Sequence, residues 1–279
     1  DVYKRQAKDG IQFDRFYSAS AVCSPTRASF LTGRNPYRTG VFSANRGVLR
    51  PEETTISELL QKEGYVTGHF GKWHLGTFTH TEKDANRGRP GNLKEYNPAS
   101  LHGYDVVFAT ESKVPTYNPM QHPGGKPYGT SYWNEKNEKV IDNMSGDDSR
   151  VIMDRVIPFI KEANSKGKPF LAIVWFHAPH KPCVAGPKHL KLYEGQSESM
   201  KHYAGCITAM DEQIGRLRTE LKDIKADSNT ILTFCSDNGP ENGNPGITGG
   251  FKARKRSLHE GGIRAVSYTH LTLPTMFEV

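Results

Sequence analysis

The chain has 279 residues, 35% of them hydrophobic, and a net charge of +7 at pH 7. Its mean hydropathy is −0.64 and its pI is near 9.1. No apolar run reaches the roughly 18 residues of a membrane helix, and no Lys/Arg stripe interleaved with aromatics marks a nucleic-acid face. The modest cationic excess suits anionic ligands such as phosphate or sulfate esters, and the length fits one large or two modest domains.

The opening "DVYKRQAKDG" has no apolar core of a secretory signal. "SAVCSPTRASFLTGR" follows, with Cys23 two residues before Pro25 and four before Arg27, ahead of a short helix-like run. Cys23 is either a small buried residue near a turn or a reactive group at a helix N-terminus. "TTISELLQKEG" predicts a helix with a capping box of Thr55 and Glu58, an apolar face of Ile56, Leu59 and Leu60, and a stop at Gly64. "YVTGHF" then reads as a short strand. Residues 77–147 are rich in Gly, Pro, Asn and Tyr and read as long loops over one rim, a usual seat of specificity. There Tyr96, Tyr104, Tyr117, Tyr128, Tyr132 and Trp133 suit either stacking on sugar rings or packing of the loops.

"DSRVIMDRVIPFIKEANSKG" predicts a second helix with a kink at Pro158. Phe170 to Phe176 are all apolar, as in a parallel strand buried on both faces. Tyr203, Ile207, Met210, Ile214, Leu217 and Leu221 alternate spacings of four and three, which predicts a long amphipathic helix. "NTILTFCSDNG" reads as another buried strand. Helix then buried strand, three times over, predicts an α/β fold: a mostly parallel central sheet with helices on both faces. Ligands bind such sheets beyond the carboxyl ends of the strands.

The polar residues at those strand ends carry the candidate chemistry. Lys72 and His74 in "HFGKWHLG" supply a point charge for an anion and a donor or base, or form a solvated surface pair. His177 and His180 in "WFHAPHKP" are metal ligands, bases, anion donors or simply loop histidines. Asp237 and Asn238 offer hard oxygens for Ca²⁺ or Mg²⁺, or an Asx turn. Lys255, five residues before Glu260 and the pair Gly261–Gly262, sits either in a loop that can approach an anion closely or in a solvated basic loop. The four cysteines, Cys23, Cys183, Cys206 and Cys235, form no CxxC pair, which excludes thioredoxin-like and zinc-ribbon chemistry. A Cys183–Cys206 bridge stays open.

In this order, "CSPTRASFLTGR", "GKWHLG", "HAPHKP", "SDNGPENG" and "K-x4-EGGIR" resemble the sulfatase family, within the alkaline phosphatase superfamily, over roughly residues 11–264. The resemblance implies the alkaline-phosphatase-like fold and a sulfuric ester hydrolase of arylsulfatase type, acting on a sulfated carbohydrate or an aryl sulfate. It implies that a formylglycine-generating enzyme oxidises Cys23 to formylglycine, whose hydrate attacks sulfur, with Arg27 steadying the diol. Lys72 and Lys255 would hold sulfate oxygens, Lys255 or His180 would assist the leaving alkoxide, and His74 would take the proton from the second hydroxyl. His180 matches the family's sulfate-binding His better than His177. Asp237 and Asn238, with the modified Cys23, would hold one Ca²⁺. The same superfamily includes phosphonate and phosphate-ester hydrolases, and an inactive module binding sulfated glycans is a third reading.

Members of the family usually open on an apolar strand ending in two aspartates, and nothing similar precedes Phe13. Residues 1–6 and 265–279 resemble translated sequencing-adapter read-through. The expected division is therefore a non-native leader at 1–6, a catalytic domain at 7–264 truncated at both ends, and a non-native tail at 265–279. Weak metal binding is expected from this truncation. The "VSYTHLTL" run of the tail has strand propensity on its own. Family habit implies export to the periplasm or outside the cell.

Overall fold

The computed structural model describes residues 10–265 and 267–270, so residues 1–6 and most of 265–279 lie outside the described residues. The strands are β1 (Ile11–Phe13), β2 (Val66–Lys72), β3 (Val106–Thr110), β4 (Tyr132–Asn134), β5 (Lys139–Val140), β6 (Phe170–Trp175), β7 (Leu232–Cys235) and β8 (Ser267–His270). The helices are α1 (Cys23–Thr32), α2 (Ile56–Lys62), α3 (Asp148–Ser165), α4 (Pro187–Lys191), α5 (Glu198–Asp223) and α6 (Glu260–Ile263).

The central sheet has the order β5-β4-β3-β2-β6. β2 runs parallel to β3 and β6, with Lys72 beside Thr110 and Gly71 beside Trp175. The carboxyl ends of these three strands therefore share one rim. Alternation sorts the side chains. Phe70, Phe108 and Tyr132 face α3 and the C-terminal half of α5. Val107, Ala109, Trp133 and Ile173 face α1 and the Trp73–Phe78 segment. The sheet is thus covered on both faces, the expected α/β layering.

Local rules hold in α2, where Thr55 and Glu58 form the full capping box and Gly64 turns the chain at φ 84°. The expected apolar face is not the buried one. Ile56 and Leu59 are exposed, whereas Ser57 is fully buried and donates its hydroxyl to the His102 carbonyl at 2.7 Å. The segment after His102 comes too close for anything larger: a Cβ on Gly103 would lie 2.7 Å from Glu58. α3 runs through Pro158, which sits on its exposed side. α5 buries Met210, Ile214, Leu217 and Leu221 as the spacing predicts.

Three expectations need correction. Residues 77–147 hold β3, β4 and β5 as well as loops. "VVFAT" is a central strand whose apolar run is too short to stand out among the turn residues around it. Second, β7 joins neither β2 nor β6. It pairs antiparallel with β8, Cys235 opposite Ser267, in a separate sheet ordered β1-β8-β7. Its paired edge is taken by the chain's own return after α6. The strand propensity of the run after Ala265 is thus realised in β8. Third, β6 buries only Ile173 fully, because it forms one edge of the central sheet and its flanks are only partly covered.

Candidate active site

Cys23 is the first residue of α1. Val22 before it is extended (φ −144°, ψ 155°) and offers no side-chain cap, so the first-turn amides are left for another partner. Pro25 falls within that turn, where its missing N–H costs nothing. Gly33, left-handed at φ 64°, closes the helix. Cys23 is 2% exposed, and the Lys72 ammonium lies 3.6 Å from its sulfur. Burial pushes the Cys23 thiol up and Asp237 adds to that, but Lys72, Lys255 and Arg27 outweigh them and hold it below the usual thiol range.

Arg27 lies one turn on, on the same helix face as Cys23. Its guanidinium donates to the Lys72 carbonyl at 2.8 Å and to Asp237 Oδ2 at 3.1 Å, and it stacks 4.5 Å from the centre of the Trp175 ring. One side chain thus ties α1 to the ends of β2, β6 and β7. Arg27 is therefore a positioning residue, with only its buried Nε lacking a partner.

Lys72 ends β2 and is 2% exposed. Burial lowers its pKa, with Arg27 and Lys255 adding to the effect and Cys23 and Asp237 opposing it. Gly71 lets it approach β6: at φ 99° a Cβ there would lie 2.2 Å from the Trp175 carbonyl. His74 is buried in a left-handed conformation (φ 60°). Its Nε2 meets Asn45 Oδ1 at 2.6 Å, while its buried Nδ1 has no partner. Burial first, then the charge of Lys72, pushes its pKa well below the usual range.

His180 follows β6. Its Nδ1 meets the Lys181 carbonyl at 2.7 Å, which places the proton there, so Nε2 accepts from the Lys255 ammonium at 3.2 Å. Burial, with Lys72 and Lys255, pushes His180 down to about 2. Lys255 is 5% exposed and pairs with Glu241 at 2.8 Å. Its loop closes on the β7 end because glycines line the seam. The Gly239 amide donates to the Gly262 carbonyl at 2.8 Å, and a Cβ on Gly239 would sit 2.0 Å from the Gly261 carbonyl oxygen.

The predicted residues thus converge: Cys23, Arg27, Lys72, Asp237, His180 and Lys255 form one electropositive cradle, with His74 within reach of the Lys72 and His180 charges. His177 does not join it. It is 1% exposed, with Nδ1 at 2.8 Å from Asp148 and Nε2 at 2.9 Å from Thr110. Of the six aromatics, Tyr104, Tyr132 and Trp133 are core. Sequence reading missed Glu241, which holds Lys255 and Arg256, and Asn45, the partner of His74. Glu241 lies inside the quoted "SDNGPENG"; Asn45 had no signal.

The donors for a hard cation fit in kind. Asp237 keeps an oxygen free of Arg27, and the buried Asn238 Oδ1 has no partner. They do not fit in number, since Ca²⁺ takes roughly 6–8 oxygens. Among the described residues no three His, Cys, Asp or Glu side chains group to hold a metal ion.

A family model described as Sulfatase matches residues 3–266. The chain belongs to the sulfatase family. It is 29% identical to the N-acetylgalactosamine-6-sulfatase of Canis lupus familiaris, covering 93% of this chain and 50% of that protein. It is 31% identical to the arylsulfatase G of Rattus norvegicus, covering 85% and 46%. The chain therefore spans about half the length of the curated relatives it matches. Among solved structures, Ps i-CgsB in complex with k-i-k-neocarrahexaose superposes with a TM-score of 0.80 at 26% identity, over 97% of this chain and 60% of that one. The phosphonate monoester hydrolase SpPMH from Silicibacter pomeroyi shares the fold at 16% identity and a TM-score of 0.61. The cradle of this sulfatase chain is built from the five motifs that carry the family resemblance.

Proposed function

We propose that this chain hydrolyses sulfate esters of carbohydrates, with position 23 as the nucleophile. The observation that carries the reading is the placement of Cys23: buried, first in its helix, with an ammonium 3.6 Å from its sulfur. A helix N-terminus favours an anion by a few tenths to ~1 kcal/mol, and buried cations stabilise charge that develops on a transferring group.

Lys72 and Lys255 hold the sulfonyl oxygens. Lys255 and His180 share a hydrogen bond, so a proton given to the leaving oxygen by one can be replenished through the other. His74 is kept neutral by burial and presents Nδ1 as a free lone pair, which suits a base. Arg27 and Trp175 fix the helix against the strand ends. A formylglycine made from Cys23 by a formylglycine-generating enzyme would supply, as its hydrate, an oxygen nucleophile and a second hydroxyl whose deprotonation releases sulfate. Asp237 and Asn238 with position 23 supply only part of a Ca²⁺ site, too few oxygens to complete it, so no step is assigned to the ion. The names of N-acetylgalactosamine-6-sulfatase and of the neocarrahexaose complex support a sulfated carbohydrate as the substrate class. Export to the periplasm or outside the cell fits such a substrate.

The test is a parallel assay of aryl sulfate and aryl phosphonate esters, after co-expression with the modifying enzyme. Preferential turnover of the sulfate is expected. A preference for phosphonate would overturn the choice.

A further inference from the structure

A concavity of about 500 Å³ opens beside the cradle, within the roughly 300–1,000 Å³ range of ligand pockets. Lys113, Lys181, His122, His202, Tyr128 and Tyr203 line it, and no Asp or Glu is among its lining residues. Lys113 follows β3 and Lys181 follows β6, so both rise from the rim that also carries Lys72 and His180. The link to the cradle is direct. Lys181 is the residue after His180, and the charge of Lys113 reaches the His180 ring. Asn244, also in the lining, donates to the Pro179 carbonyl at 3.1 Å and so holds the His180 turn against the concavity.

Among the described residues, neither lysine is spent on a carboxylate. Lys181 Nζ meets, among the described residues, only the Asn242 carbonyl, at 3.3 Å, and no ion pair among them engages Lys113. His202 Nδ1 accepts from the Ala185 amide at 3.0 Å, which leaves Nε2–H as its donor. Tyr128 packs against His122 with ring centres 4.7 Å apart, and Tyr203 supplies a second phenol. Two ammonium groups, imidazole donors and two aromatic rings match a sugar ring bearing an anionic group.

We propose that this concavity is a subsite for a second anionic sugar, next to the one carrying the scissile sulfate. The substrate is then a polyanionic glycan rather than an isolated sulfate monoester. This rests on the sulfate-ester reading of the cradle. Lys113 and Lys181 set specificity and take no part in bond breaking. Replacing the Lys181 side chain leaves its carbonyl, and so the His180 tautomer, in place.

The test is titration calorimetry on the full chain with three disaccharides: one monosulfated, one carrying a second sulfate on the neighbouring ring, and one carrying a uronate there. A second anion is expected to tighten binding about tenfold or more, with the gain shrinking as salt rises. The Lys113→Ala/Lys181→Ala pair removes the gain and leaves the monosulfated affinity unchanged. The milder Lys113→Gln/Lys181→Gln pair behaves alike if the alanine pair folds poorly. A gain with sulfate but not uronate, or with both, supports the subsite and reports which anion it takes. Equal binding of all three disaccharides, or a gain that survives both variants, overturns the subsite and leaves the sulfatase reading standing. If none of the three binds, the sulfate-ester reading itself falls and the subsite with it.

Discussion

Two polar clusters flank the end of β6, and both are buried. In the first, His177 is held by Asp148 and Thr110, and the Tyr132 hydroxyl donates to Asp148 at 2.6 Å. The side-chain polar atoms of these four residues all find partners. In the second, the cradle gathers Lys72, Arg27 and Lys255 around a thiol and leaves Arg27 Nε, His74 Nδ1 and Asn238 Oδ1 buried without partners. Buried polar groups normally hydrogen-bond. A satisfied cluster specifies the core, whereas an unsatisfied one of mostly like charge is kept for a ligand. Two histidines three residues apart thus serve opposite ends.

Substitutions can break this contrast. The largest effect expected is Cys23→Ala, which removes the proposed nucleophile and lowers kcat on an aryl sulfate by on the order of 10⁵-fold, as nucleophile deletions do. The melting temperature should hardly change. Activity within tenfold of the parent would mean that the nucleophile lies elsewhere. Next is Asp148→Ala, which strands His177 and Tyr132. A loss of about 3 kcal/mol by denaturant unfolding is expected, with activity per folded molecule retained. If stability holds but activity disappears, the assignment of the two clusters is reversed.

Lys72→Ala reads the contrast from the other side. It relieves repulsion from Arg27 and Lys255, so stability should stay within about 1 kcal/mol or rise. Sulfate inhibition should weaken by roughly 10–100-fold, the worth of one charged hydrogen bond. The mildest effect is pH dependence. Burial lowers His69 to about 3, His102 to about 4 and His180 to about 2, with His74 well below its usual value. Their unfolded forms titrate near 6.5, so unfolding takes up protons below that pH. Their stability is present above about 6.5 and is lost as pH falls toward the folded values. Glu111, raised to about 7 by burial, opposes this between 4.5 and 7. Burial also raises Asp84 and Asp147, but four imidazoles outnumber these three carboxyls, so the melting temperature should fall from pH 6.5 to 5. A rise over that interval would show that these histidines are not buried neutral.

Much of the site was legible because its parts lie at strand ends and the motifs follow one another in order. The capping box of α2 and the seam of α5 were legible because both are local rules. The local pattern alone left His177 and His180 open, since their surroundings depend on Asp148 and Lys255, each far along the chain, and only the family resemblance favoured His180. Glu241 and Asn45 escaped for the same reason. β3 was hidden because four apolar residues and a threonine amid turn residues carry no periodicity, and the place of β7 depends on pairing with β8.

The most direct test of the account is the mass of the tryptic peptide from Phe16 to Arg27 after co-expression with a formylglycine-generating enzyme. Conversion of the Cys23 thiol to an aldehyde lowers it by about 18 Da by bond arithmetic, and the account predicts that loss at Cys23 alone, with Cys183, Cys206 and Cys235 unchanged. An unmodified Cys23 thiol in an active preparation would contradict it.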